Sequence, residues 1–223
     1  MASRVTPERG RNIDVEGAYR VAEERYTAAN PESLAQFTRA CESLPGGNTR
    51  TGMYYAPFPL AMARGEGAYM WDLDGHKYRD YAGDFSAGLY GHTNAVVHAA
   101  VREVLADGVT FGSVSAHEER LATQICARVP SIERVRFCNS GTEANIMSLV
   151  TANAVTGRSK IMVFEGAYHG GTLSFPPGGS PINVPFDFIL APFNDVEGTS
   201  ALFDEHGDGL SAILVELVQG AGG

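Results

Sequence analysis

From Arg134 onward the chain alternates short apolar runs with helix-length segments, and this alternation is the strongest constraint on its fold. Arg134–Cys138, Lys160–Phe164, Phe186–Leu190 and Ala212–Glu216 have the length of strands. Thr142–Ala154 and Val196–His206 between them have the length and periodicity of helices. Strands that alternate with helices predict an α/β domain, with a mostly parallel sheet covered by helices. In such sheets ligands gather beyond the carboxyl ends of the strands. The stretch Gly170–Pro185 is rich in Gly, Pro and Ser and predicts a long surface or active-site loop.

The first part of the chain has a different rhythm. Residues 1–12 are expected to be a disordered arm. The helical pattern of Val15–Leu44 breaks at Asn30-Pro31, where Asn at the cap and Pro at the first helical position start a second helix. Ala68–Tyr81 predicts a β-hairpin turning at Asp74-Gly75. Helices follow at Ala95–Leu105 and His117–Arg128. Three regions result: the arm at 1–12, helices and a hairpin at 13–90, and the α/β region at 91–223.

Lys+Arg is 17 against Asp+Glu 26, a net charge of −9, which argues against a nucleic-acid partner. No apolar run approaches the roughly 18 residues of a membrane span. Arg4, Arg9 and Arg11 have no apolar stretch behind them, so the start is not a secretory signal. Cys41, Cys126 and Cys138 are widely spaced and odd in number, which suggests free thiols in a reducing, cytoplasmic setting.

The segment Phe137-Cys138-Asn139-Ser140-Gly141-Thr142-Glu143-Ala144-Asn145 runs from strand to turn to helix. A helix start exposes unpaired N–H groups and attracts phosphate. Gly141 allows close backbone approach, and Ser140 and Thr142 add hydroxyl donors. Ser140-x-x-Glu143 also fits a capping box, so this segment alone leaves both readings open. Past the next strand, Tyr168 stands among glycines in Glu165-Gly166-Ala167-Tyr168-His169-Gly170-Gly171, where a ring can lie on a planar ligand. The plainer alternative is a glycine loop with a half-buried Tyr and a solvated His. Glu216 ends an apolar run and needs a partner if buried. Arg50 lies in a Gly/Asn/Thr loop, and its fork suits a carboxylate. The remaining histidines, His76, His92, His98, His117 and His206, lack metal-ligand spacing and are expected to be surface or capping residues; no metal site is expected.

Together these segments resemble the class III pyridoxal-phosphate-dependent aminotransferases, and in particular their glutamate-1-semialdehyde aminomutase-like branch. The resemblance also rests on Leu44–Arg50, Tyr55–Leu60, Ala63–Gly67, Trp71–Gly75, Tyr90-Gly91-His92 and Val215-Glu216. It implies fold type I, a large α/β domain plus the N-terminal part of a small domain, and pyridoxal 5'-phosphate as cofactor. It implies that Ser140, Gly141 and Thr142 cup the cofactor phosphate and that Tyr168 stacks on its ring. Glu143 and Glu216 would lie in the network around the cofactor. Arg50 matches the arginine that receives the substrate carboxylate in the β-amino-acid branch. The implied activity is transfer of an amino group from an amino acid, favoured as a β-amino acid, to a 2-oxo acid by a homodimer.

The chain has two lysines, Lys77 and Lys160. Neither is placed to be the lysine that bonds the cofactor aldehyde. The chain is therefore expected to be the N-terminal half of a longer enzyme and inactive alone. An aminomutase or racemase on the same fold is the enzymatic alternative. A non-catalytic phosphate-binding or interaction protein is the alternative of another class.

Overall fold

The computed structural model describes residues 14–220. The arm expected at residues 1–12 lies outside them. The chain divides into two compact units, Met1–Ser113 and Val114–Gly223. The division expected between residues 90 and 91 differs from this one by the segment 91–113, which holds the helix Ala95–Ala106.

In the first unit, α1 (Val15–Ala29) and α2 (Pro31–Cys41) meet at Asn30, as the Asn-Pro pair predicts. Asn30 does not cap α2 with its side chain, however; its Nδ2 donates to the Tyr26 carbonyl at 2.7 Å. The cap comes from 41 residues further along the chain. The Asp74 carboxylate accepts from Ser33 N–H at 3.1 Å, and also from Glu32 N–H and the Ser33 hydroxyl, both at 2.8 Å. A carboxylate at a helix N-terminus satisfies orphan donors and complements the helix dipole. The hairpin turn is thereby tied to α2.

That hairpin belongs to an antiparallel sheet of β1 (Met62–Glu66), β2 (Tyr69–Asp72) and β3 (Lys77–Arg79), in that order. The hairpin follows the sequence; β1 does not, because Arg64, Gly65 and Glu66 carry no alternating apolar signal. Its support is tertiary: Arg64 lies 3.5 Å from the Trp71 ring centre across the β1–β2 ladder. Phe58 is buried among Tyr26 and Phe37, and the Tyr26 hydroxyl donates to the Phe58 carbonyl at 2.8 Å. Helix α3 (Ala95–Ala106) starts at Asn94, whose side chain accepts from Val96 and Val97 N–H. Its Val97, Val101, Val104 and Leu105 are exposed in this chain.

In the second unit, α4 (Ala116–Arg128) and α5 (Gly141–Thr156) precede three parallel strands, β4 (Lys160–Phe164), β5 (Asp187–Ala191) and β6 (Leu210–Ile213). Helix α6 (Val196–His206) connects β5 to β6. The strand order is β5-β4-β6, with β4 central. Side chains alternate faces along a strand. Ile161 and Val163 face Leu149 and Ile146 of α5, whereas Met162 faces the cluster that includes Leu202 of α6. Both faces of β4 are thus covered by helices.

Two expected strands need correction. Arg134–Cys138 forms no strand: among the described residues no strand pairs with it, and a strand exists only through its ladder. The last strand covers Leu210–Ile213 rather than Ala212–Glu216, because β4 pairs with Leu210, Ala212 and Ile213. The loop expected at Gly170–Pro185 is not merely superficial. Leu173 and Phe175 are core residues, and Asn183 binds both the N–H and the carbonyl of Ser174, at 2.9 and 2.8 Å.

His76 and His92 are not simple surface or capping residues: each ring meets a carboxylate at 3.0 Å, His76 that of Asp72 and His92 that of Asp80. The Asp72 carboxylate is buried and accepts from His76 N–H at 2.7 Å and Tyr78 hydroxyl at 2.8 Å. Burial alone would raise its pKa; the hydrogen bonds from Tyr78 and His76 outweigh this and hold it below its ordinary value. A carboxyl depressed in the fold stabilises above its unfolded pKa of about 4 and loses that contribution as pH falls through the folded value. Asp72→Ala is therefore expected to cost about 2 kcal/mol at pH 7 in urea unfolding, with a smaller difference from wild type below pH ~3.

Candidate functional site

The site grows from the start of α5. Ser140 is extended, and its Oγ accepts from Glu143 N–H at 3.1 Å, capping the helix. Glu143 reaches back, but to Asn139 rather than to Ser140: its Oε2 accepts from Asn139 N–H at 2.7 Å and from Asn139 Nδ2 at 3.1 Å. The cap is real, yet it does not consume the helix start. Among the described residues the N–H groups of Gly141 and Thr142 have no acceptor. A Cβ built on Gly141 would meet nothing within 4 Å, so open space lies over this turn. Capping and anion binding are compatible here, since they use different donors.

Thr142 joins this turn to the loop after β4. Its Oγ1 accepts from Gly171 N–H at 3.1 Å. Gly170 has φ +136°, and a Cβ there would collide with Thr142 Oγ1, so glycine is required by both conformation and space. Three residues along α5, Asn145 Nδ2 donates to the His169 carbonyl at 2.7 Å. From the far side, Glu216 Oε2 accepts from Tyr168 N–H at 2.9 Å, and its Oε1 accepts from Gly220 N–H at 3.3 Å. Glu216 lies three residues past β6, not at a strand end, and its acceptors serve the main chain.

Tyr168 and His169 reverse the plain expectation of a half-buried Tyr and a solvated His. Tyr168 is 58% exposed and His169 only 9%. Adjacent side chains in extended backbone point to opposite sides, and here the inward place goes to the imidazole, edge-on to Phe175 with ring centres 6.4 Å apart. Burial lowers the His169 pKa, opposed by the nearby charge of Glu216. Its Nε2 is buried and has no partner among the described residues. The Tyr168 ring is left exposed.

The second unit thus brings together Ser140, Gly141, Thr142, Glu143, Tyr168 and Glu216. Arg50 belongs to the first unit, on an exposed turn where its N–H donates to Asn48 Oδ1 at 3.0 Å. Its guanidinium makes no hydrogen bond or ion pair among the described residues. Lys160 lies at the amino end of β4, with its Nζ 3.3 Å from His206 Nδ1. Lys77 lies over the Tyr69 ring at 4.0 Å. Asn145, His169 and Asn183 join the site through contacts the sequence pattern does not single out. The helical spacing of Thr142 and Asn145 was the one available signal, since such residues share a helix face.

Free helix-start donors and an open ring, on loops that flank a parallel sheet, define an α/β domain suited to a planar phosphate-bearing ligand. The family model "Aminotransferase class-III" matches residues 52–223, and the chain belongs to that family. It is 48% identical over 199 residues to the beta-phenylalanine transaminase of Variovorax paradoxus, covering 89% of this chain and 46% of that protein. The crystal structure of that organism's beta-phenylalanine aminotransferase superposes with a TM-score of 0.89 at 47% identity, over 92% of this chain and 48% of that one. The glutamate-1-semialdehyde 2,1-aminomutase of Dichelobacter nodosus is 39% identical over 202 residues, covering 82% of this chain and 47% of that protein. A structure described as a transaminase with PLP bound has a TM-score of 0.78 at 32% identity, over 86% of this chain and 48% of that one. The fold is that of the type I PLP-dependent transferases. The chain spans about half the length of the relatives it matches.

Gly170→Ala is expected to lower the unfolding free energy by about 2 kcal/mol or more, because no relaxation removes both the collision and the positive φ. Urea denaturation gives the magnitude, and faster amide exchange at Gly171 would report loss of the Thr142 bond.

Proposed function

We propose that this chain supplies the phosphate- and ring-holding part of a pyridoxal 5'-phosphate-dependent aminotransferase. The activity is transfer of an amino group from a β-amino acid to a 2-oxo acid. The observation that carries this reading is the pair of unclaimed N–H groups at Gly141 and Thr142, under open space, in a chain of the class-III aminotransferase family. When bound, the cofactor supplies an electron-withdrawing ring that takes up the electron pair left on the substrate's amino-bearing carbon.

The residues of this chain bind and orient. The N–H groups of Gly141 and Thr142, with the hydroxyls of Ser140 and Thr142, hold the phosphate at the positive end of α5. Tyr168 offers its exposed face to the ring and excludes water from it. Glu216 orients Tyr168 through the main chain, and Glu143 holds the Asn139 turn that leads into the cup. Arg50, whose guanidinium has no partner among the described residues, receives the substrate carboxylate as a two-pronged donor. The similarity to a beta-phenylalanine transaminase favours a β-amino acid donor over the aminomutase alternative.

Lys160 is at the wrong end of β4 for this site, and Lys77 is engaged with the Tyr69 and Trp71 rings. Both placements support the reading that the lysine bonding the cofactor aldehyde is supplied from outside these 223 residues. Three free cysteines fit a cytoplasmic setting, and the exposed apolar face of α3 fits burial in a homodimer.

Titration with pyridoxal 5'-phosphate and with unphosphorylated pyridoxal tests the cup. Wild type is expected to prefer the phosphorylated form by about 100-fold, and Ser140→Ala to cut that preference about tenfold. Equal affinity for the two forms would sink the reading. Borohydride treatment of the mixture is expected to leave no pyridoxyl group on Lys77 or Lys160 by peptide mass; an adduct on either would overturn the assignment of the lysine. In amino-transfer assays of the full-length enzyme that contains these residues, Arg50→Ala is expected to raise KM for a β-amino acid about 100-fold with a smaller change in kcat. An unchanged KM would remove Arg50 from the substrate site.

A further inference from the structure

We propose that Asn145 is a positioning residue, which sets the Tyr168 ring against the first turn of α5 by holding the His169 carbonyl. The inference rests on the reading of this turn and ring as a cofactor site. Asn145 and Thr142 lie three residues apart on α5 and so project from one helix face. Asn145 Nδ2 donates to the His169 carbonyl at 2.7 Å, and Thr142 Oγ1 accepts from Gly171 N–H at 3.1 Å. The two bonds bracket Gly170, whose positive φ brings its Cα down onto Thr142. Glu216 fixes the other flank through Tyr168 N–H at 2.9 Å.

Three successive main-chain groups, the N–H of Tyr168, the carbonyl of His169 and the N–H of Gly171, are therefore each held by a different side chain. The His169 ring is 9% exposed and Leu173 fully buried, so the loop cannot slide without opening the core. Among the described residues Tyr168 makes hydrogen bonds through its backbone and none through its side chain, so its ring takes its place from that anchor. Asn145 is the one donor among the three side chains, and it acts on the carbonyl of the residue that follows Tyr168. Among the described residues the Asn145 side chain makes no hydrogen bond to the free N–H groups of the cup or to Ser140. It therefore governs where the ring stands relative to the phosphate site, without being part of the phosphate site.

This predicts a ligand-dependent effect. Asn145→Asp keeps the shape but opposes a carboxylate oxygen to a carbonyl; Asn145→Ala removes the donor and keeps a strong helix former at this position. Both variants and wild type are titrated with pyridoxal 5'-phosphate and, separately, with inorganic phosphate, and their thermal midpoints are measured. The expected result is an affinity for pyridoxal 5'-phosphate weakened about tenfold in both variants, with inorganic phosphate changed by less than about twofold. Unchanged binding of pyridoxal 5'-phosphate in the Ala variant would overturn the proposal. Equal weakening of both ligands with a fallen midpoint would also overturn it, since a merely structural residue behaves that way. If wild type itself binds inorganic phosphate but not pyridoxal 5'-phosphate, the cofactor reading fails and takes this proposal with it, an outcome distinct from failure in the variants alone.

Discussion

The grip of α5 on the loop that follows β4 is the interaction on which the site depends. Thr142 and Asn145 hold one peptide segment from a helix whose own first turn, among the described residues, leaves two N–H donors free. These demands are met together because different atoms serve them. The Ser140 hydroxyl oxygen takes the Glu143 N–H, the Glu143 carboxylate turns back to Asn139, and the N–H groups of Gly141 and Thr142 remain. A helix start that spent all its donors on capping would be stable and of no use to a ligand.

The core is built around the same junction. β4 lies between β5 and β6 with both faces covered, so the loop leaving its carboxyl end starts from a rigid edge. Leu173 and Phe175 return from that loop into the core beside Ile161 and Val163. Tyr168 can stay exposed without being mobile, because the residues on either side of it are buried or bonded. An exposed aromatic ring on a firmly held backbone is a preorganised surface for a flat ligand.

Much of this was legible along the chain. The Asn30-Pro31 break, the Asp74-Gly75 turn, β4 and α6 follow from caps, turn residues and apolar runs, all local features. The segment Ser140–Thr142 was legible as a helix start, although not which of two uses it served. What escaped was whatever depended on a distant partner. β1 is held by the Arg64–Trp71 contact and its ladder, and Arg134–Cys138 is no strand for want of one. Asn145 looked like any polar helix residue until the His169 carbonyl was placed beside it.

The sequence by itself determined the alternation of strands and helices, the glycine at position 170, the helix start at Ser140 and, through its ordered motifs, the class-III aminotransferase family. Those features are set by dihedral preferences, periodicity and short-range hydrogen bonds, which a single chain segment carries within itself. The tertiary structure alone decided that Asp74 rather than Asn30 caps α2 and that His169 is buried while Tyr168 is exposed. It also decided that Glu216 and Asn145 hold the loop between them. The helix cap and the two loop contacts each join residues at least 24 positions apart, where direction in space, and not residue type, selects the partner.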